Sequence, residues 1–150
     1  MSREITATSD VRSILEQARV IAVLGAHNIQ GKPACYVPQY LHDVGYRVIP
    51  VNPRFVGETL FGERVRATLA EIEMPVDIVD VFRRPEHIPP HVPDMLAMRP
   101  RPKLVWLQLG ITNDDVAEQL VREGIDVVQD RCTLADHRRF GLPHIAAPAV

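Results

Sequence analysis

Apolar residues fall along this chain in five short, nearly continuous runs, and between the runs they recur at helical spacing. The runs are Val20 to Leu24, Arg47 to Val51, Val76 to Phe82, Lys103 to Leu109 and Ile125 to Val128. Their length and lack of polar alternation predict strands buried on both faces. Ser9 or Asp10 is expected to cap a helix through Ala18, with Val11, Ile14, Leu15 and Ala18 on its apolar side. Pro33 suits the first turn of the next helix, because its missing N–H has no helical partner there. That helix carries Val37, Tyr40, Leu41 and Val44 and stops at Gly45. Phe55 to Arg66, with Gly57 and Gly62, reads as a loop, and short helices are predicted near Thr68 to Glu71 and over Val92 to Met98. The proline-rich stretch from Arg83 to Pro93 suits a loop and a first helical turn. Asn113 caps a helix through Glu123, and Gly124 ends it.

Buried strands alternating with helices imply a parallel sheet covered on both sides. The expected fold is α/β, a three-layer, Rossmann-like, doubly wound parallel sheet of about five strands. One domain accounts for residues 1–150, with its core over about 10–140 and a loosely held tail over 141–150 that contains Pro143 and Pro148.

Composition narrows the function. With 17 basic against 19 acidic side chains the net charge is -2, so no global field attracts nucleic acid or an anionic membrane. Any anion must be held by a local site. The first residues lack the charged start and apolar centre of a secretory signal, and no apolar run approaches the ~20 residues that span a bilayer. A cytoplasmic protein is expected. The two cysteines, Cys35 and Cys132, form no C-x-x-C pair, and free thiols are the default.

In a doubly wound sheet the ligand lies across the carboxyl ends of the strands, near the point where strand order reverses. Those ends are Gly25 to Lys32, Asn52 to Phe55, Phe82 to Arg84, and Gln108 to Thr112, which together hold glycines, amides, arginines and a lysine. The first loop, Gly25-Ala26-His27-Asn28-Ile29-Gln30-Gly31-Lys32-Pro33, leads from a strand into a helix, where unsatisfied backbone N–H groups favour an anion. It lacks the G-x-G-x-x-G dinucleotide fingerprint. An NAD site would also place Asp or Glu after the second strand to accept from the ribose hydroxyls. Here the sequence is Asn52-Pro53-Arg54, and the planar Arg54 guanidinium suits a ribose phosphate instead. NAD is disfavoured, while NADP and coenzyme A remain.

Five segments in order, GAHNIQGKP, YRVIPVNP, VDIVDVFRRPE, VWLQLGI and VVQDRC, resemble the small bacterial coenzyme A-binding proteins. These are similar in fold to the coenzyme A-binding domain of the succinyl-CoA synthetase alpha subunit and of ADP-forming acyl-CoA synthetases. The resemblance covers about residues 10–140 and implies that coenzyme A is the ligand. By it, Gly25, Ala26, His27, Gly31 and Lys32 would hold the pyrophosphate. Val51, Asn52, Pro53 and Arg54 would border the adenosine and its ribose phosphate. Phe82 and Arg83 would flank the ligand, and Gln108, Leu109 and Gly110 would line the pantetheine side. Cys132 matches a family cysteine whose role the resemblance does not settle. Related loops commonly carry a small hydroxyl residue soon after the first glycine, where this chain has Ala26 and His27. A protonated His27 could compensate for the lost contact.

Other residues have plainer readings. No carboxylate near His27 orients it for catalysis. Asp77 and Asp80 are expected on opposite faces of their strand, which argues against a paired-carboxylate site. Cys35 reads as a core filler and Trp106 as packing, and the prolines between His87 and His91 speak against a metal site. Of the Arg83-Arg84 pair, one side chain is expected to face the cleft and the other solvent. Gln108 in an apolar strand end needs a partner, a ligand or backbone group. Arg131 beside Cys132 could lower the thiol pKa. The reading is therefore a coenzyme A or acyl-CoA binding protein, a carrier or regulatory module with no metal and no catalytic residue assigned, serving a possible acyl-transfer enzyme partner. The alternatives are an NADP-dependent oxidoreductase and a thiol redox sensor that forms a mixed disulfide with coenzyme A through Cys132.

Overall fold

A computed structural model of the chain describes residues 1–146. Its parallel sheet consists of β1 (Val20–Leu24), β2 (Arg47–Val51), β5 (Ile78–Val81), β6 (Leu104–Leu107) and β7 (Asp126–Val128). A small antiparallel hairpin, β3 (Thr59–Leu60) with β4 (Glu63–Arg64), lies apart from it. The helices are α1 (Thr8–Gln17), α2 (Pro33–Asp43), α3 (Val92–Ala97), α4 (Asp114–Arg122) and α5 (Thr133–Arg139). Strand order is β2-β1-β5-β6-β7 with every neighbour parallel. The chain leaves β1 toward one edge and returns to build the rest on the other side, so order reverses between β1 and β5.

Because the strands are buried on both faces, successive side chains feed two separate cores. Val79, Val81, Val105 and Leu107 pack against α3 and α4 through Met95, Val116 and Leu120. Ile21, Val23, Ile78 and Trp106 pack against α1, α2 and α5 through Leu15, Val37, Leu41 and Leu134. Each sheet edge carries one isolated bridge. Val51 bridges to Arg66, and the Arg66 amide donates to the Pro50 carbonyl at 3.0 Å. On the far side Glu4 bridges to Val127, with the Ile5 amide 2.7 Å from the Val127 carbonyl. Each edge strand is thus met by a segment of the chain at one point, which shortens the row of open strand groups there.

Several expectations need correction. The first helix begins at Thr8, with Ala7 at its cap, so Ser9 and Asp10 lie inside the first turn. Asp10 faces Arg3 at 3.2 Å, an acidic group favoured near a helix start. The strand in the third buried run begins at Ile78, although the Asp77 amide already donates to the Val20 carbonyl at 2.9 Å; the Asp77 carboxylate accepts the backbone amides of Arg19 and Val20 at 2.8 and 3.0 Å. Within Phe55 to Arg66, expected to be a loop, Phe61 and Gly62 at positive φ turn the β3–β4 hairpin. Helix α5 was not foreseen. Leu142, at the start of the tail expected to be loose, is buried, and the Ile145 amide donates to the Val44 carbonyl at 2.7 Å. Apolar contact and one backbone hydrogen bond thus hold that part down, and the rest of the tail, residues 147–150, lies outside the described residues. Among the described residues no helix is long and apolar enough to cross a membrane.

Candidate functional site

A cleft of about 1070 Å³ opens over the carboxyl ends of the strands at the β1–β5 reversal. Its floor begins at Gly25, which has φ +88° and donates its amide to the Val51 carbonyl at 2.9 Å. A Cβ there would lie 2.7 Å from the Phe82 carbonyl oxygen. Only glycine combines that backbone angle with that approach. The loops after β1 and β5 can therefore close on each other at the crevice.

Helix α2 shapes the next part of the loop through an internal proline. Pro38 has no N–H to give the Ala34 carbonyl, its partner four residues back. That carbonyl accepts the His27 amide instead, at 3.1 Å, and ties the loop to the helix. The Cys35 and Tyr36 amides both donate to the Lys32 carbonyl, whereas the Ala26 and Ala34 amides donate to no acceptor among the described residues. Asn52 joins the second loop to the first. Its Nδ2 donates to the Ala26 carbonyl at 2.9 Å, while its Oδ1 accepts the Arg54 amide at 3.0 Å.

Lys32, Arg54, Arg83 and Arg84 all line this cleft, and no carboxylate does. None of the four makes an ion pair among the described residues, while nine other ion pairs form there. Arg54 rests over the Phe55 ring, 5.3 Å from its centroid. His27 packs edge-on against the same ring at 4.9 Å, and its Nδ1 accepts the Ile29 amide at 3.2 Å. Burial, with the charges of Lys32 and Arg54, lowers the His27 pKa below 6.5. His27 is thus neutral at pH 7, and the expectation of a cationic histidine holds only once an anion offsets its neighbours. Apolar groups complete the walls, including Phe82, the half-exposed Tyr36 (48%) and Leu109 (70%).

Of the residues singled out in the sequence, Gly25, His27, Lys32, Asn52, Arg54, Phe82, Arg83, Gln108, Leu109, Gly110 and Cys132 meet in this cleft. Ala26, Gly31, Val51 and Pro53 do not line it. Ala26 and Val51 are buried beneath, Pro53 opens an exposed 3-10 turn, and Gly31 has no positive φ and room for a Cβ with nothing within 4 Å. Arg83 and Arg84 both line the cleft, against the expectation that one would turn away; the Arg84–Pro85 loop is held there by Asn113, whose Nδ2 donates to the Pro85 carbonyl at 3.0 Å. Tyr36 and Ile111 were missed. Tyr36 sits one position off the apolar stripe of α2, next to the loop, which is the signal that could have found it.

Gln108 also needs correction. It is 4% exposed, and its partners within the protein are side chains rather than backbone groups. Its Nε2 donates to Asp80 Oδ1 at 2.6 Å and to Thr133 Oγ1 at 2.8 Å. Cys132 caps α5 at the cleft wall, but Arg131 does not serve it: the guanidinium is forked onto Asp136 at 2.7 and 3.1 Å. Trp106 is buried and donates its indole N–H to the Arg131 carbonyl at 2.8 Å, which fixes this wall to the sheet.

A doubly wound sheet whose reversal point carries a glycine floor and cations that make no ion pair among the described residues defines a Rossmann-like domain with a cationic strand-end cleft. The chain belongs to the CoA binding domain family, whose model matches residues 19–138. It is 33% identical over 129 residues to the uncharacterized protein YneT of Bacillus subtilis (strain 168), covering 86% of this chain and 93% of that one. Among solved structures it resembles cell-free ID.343 from Thermus thermophilus, with 51% identity and a TM-score of 0.84 over 89% of this chain and 98% of that one. A hypothetical protein from Pyrococcus horikoshii OT3 matches with 28% identity and a TM-score of 0.81 over 93% and 96% of the two chains.

Proposed function

We propose that this protein binds coenzyme A or an acyl-CoA across the strand ends and acts as a carrier or regulatory module, presenting the thiol to an acyl-transfer partner. The observation that carries the reading is the cleft lined by Lys32, Arg54, Arg83 and Arg84, with no carboxylate in its lining and no ion pair among the described residues to neutralise them. Four unpaired cations in one cleft repel one another unless an anion joins them. The donor set fits coenzyme A. The free amide of Ala34 and the ammonium of Lys32 suit its pyrophosphate, and the Arg54 fork suits the ribose phosphate. Phe82, Tyr36 and Leu109 offer apolar surface to adenine and the pantetheine arm. Family membership supports the same ligand.

The position of Cys132 favours a second reading. Its thiolate would attack a coenzyme A disulfide, forming a mixed disulfide and releasing one coenzyme A thiol, which makes the protein a redox sensor. Mass spectrometry after incubation with coenzyme A disulfide tests it. An adduct lost on reduction and absent from Cys132→Ser supports exchange at this site, and unmodified protein excludes it. The first reading is tested by calorimetric titration of Arg54→Ala with coenzyme A. Affinity should fall roughly tenfold or more, as for loss of a charge-assisted contact of about 1.5–3 kcal/mol. Unchanged affinity removes Arg54 from the site.

A further inference from the structure

Beneath the cleft lies a set of hydrogen bonds that all point inward. Asp80 is fully buried, and among the described residues no cation pairs with it. Its Oδ1 accepts from Gln108 Nε2 at 2.6 Å and its Oδ2 from the Thr133 hydroxyl at 3.1 Å, while Thr133 Oγ1 accepts the second Gln108 N–H at 2.8 Å. Both N–H bonds of the carboxamide are thus spent on the interior. Gln108 Oε1 has no protein partner among the described residues, and the buried side-chain atoms lacking one are Arg66 Nε and His137 Nε2. Gln108 lines the cleft, so Oε1 is the atom a ligand meets there.

This orientation depends on the charge of Asp80. A carboxylate can only accept hydrogen bonds, so it holds the N–H side of the amide toward itself. A protonated carboxyl has an O–H to donate. Half a turn about the last side-chain bond brings Gln108 Oε1 round to accept it and leaves Nε2 facing the cleft. We propose that Asp80 is a positioning residue that decides which side of Gln108 the cleft presents, an acceptor when it is ionised and a donor when it is protonated. With the cleft read as a coenzyme A site, the acceptor serves an amide N–H of the pantetheine arm, so this part of the inference rests on that reading.

Among the described residues no other group on this side of the sheet sets the charge of Asp80. The titratable groups there are Cys35 and Tyr40 of α2, Tyr46, Cys132, and Asp136 and His137 of α5. Asp136 is matched by Arg131 and Arg139, and His137 is bonded to the Tyr40 hydroxyl. Burial raises the Asp80 pKa to about 7, opposed only by the bonds from Gln108 and Thr133. The change therefore falls near neutral pH.

The test is NMR of the ligand-free, isotope-labelled protein from about pH 5.5 to about 8.5, a range far above the ordinary aspartate value. The Gln108 side-chain N–H signals are assigned by their loss in Gln108→Met. They should move with the same midpoint as the Asp80 carboxyl carbon. They should be flat in Asp80→Asn. In Thr133→Val both midpoints should shift upward together, since the ionised form loses a donor and Gln108 remains the sole partner. A carboxyl that titrates while the Gln108 signals stay fixed, or that does not titrate in this range, overturns the proposal. Calorimetry with coenzyme A on the same samples separates the two levels. If coenzyme A fails to bind while the signals move together, the ligand reading fails and the positioning role stands; if it binds while they stay fixed, the reverse holds.

Discussion

Three residues illustrate how single side chains set the properties of this cleft. At Gly25 the positive φ and the 2.7 Å approach to Phe82 act together, so Gly25→Ala should cost about 2 kcal/mol or more in denaturant unfolding. A loss of a few tenths would mean the crevice is looser than described. His27 is held neutral by burial and by Lys32 and Arg54. An anion placed among them raises its pKa, so binding takes up protons and affinity should strengthen as pH falls toward and below 6.5. Titration in buffers of different ionisation enthalpy should give different observed heats, and identical heats would exclude proton uptake. Asp80 acts on stability with a definite sign. Unfolded, it titrates near 3.8; folded, near 7. Between those values the folded state binds more protons, so its contribution to stability is full below the lower pKa and is lost as pH rises through the higher. Asp80→Asn removes that slope. Relative to the parent protein, the variant should gain unfolding free energy between about pH 5 and about pH 8, and parallel profiles would show that Asp80 does not titrate there.

Secondary-structure elements here do more than carry the site residues, because their ends are tied to one another. Asn52 closes the β2 loop onto the β1 loop through the Ala26 carbonyl and caps the turn that presents Arg54. Asn52→Ala loses both bonds and should cost about 1–2 kcal/mol in stability, with weaker anion binding from a loosened Arg54. Retention of both would limit Asn52 to lining the cleft. Much at this scale was legible in the chain. β1 and β2 have the bounds their apolar runs predict, Pro33 opens α2, and Asn113 caps α4 through the Val116 amide. These features are local, written in the side chains that form them. What was missed depends on distant partners. Thr133–Arg139 has its basic last turn followed by Gly141, but it packs against α1 and α2, far earlier in the chain, and its cap makes no side-chain bond. Since α5 supplies Thr133, the Asp80–Gln108–Thr133 set was invisible with it. Asp80 and Gln108 were each noted as polar groups in apolar strands, and only the register of β5 against β6, with Asp80 beside Trp106, brings them together.

At the scale of the whole molecule, a near-neutral net charge of -2 conceals a strongly uneven distribution. Acidic side chains pair with arginines and a lysine away from the cleft, and among the described residues the cations lining the cleft have no ion-pair partner. The fold produces this separation through topology, since reversal of strand order brings the loops after β1, β2, β5 and β6 around one opening. The sequence named the strand-end cations, and the arrangement of the loops made them neighbours. The account as a whole rests on coenzyme A being recognised there through its phosphates. The measurement that tests this most directly is calorimetric titration of the intact protein with coenzyme A, dephospho-coenzyme A and NADP side by side. Tightest binding of coenzyme A, with affinity reduced by removal of the 3′-phosphate and NADP weaker still, is the expected result. Equal affinity for coenzyme A and its dephospho form, preference for NADP, or no binding of any of the three would contradict it.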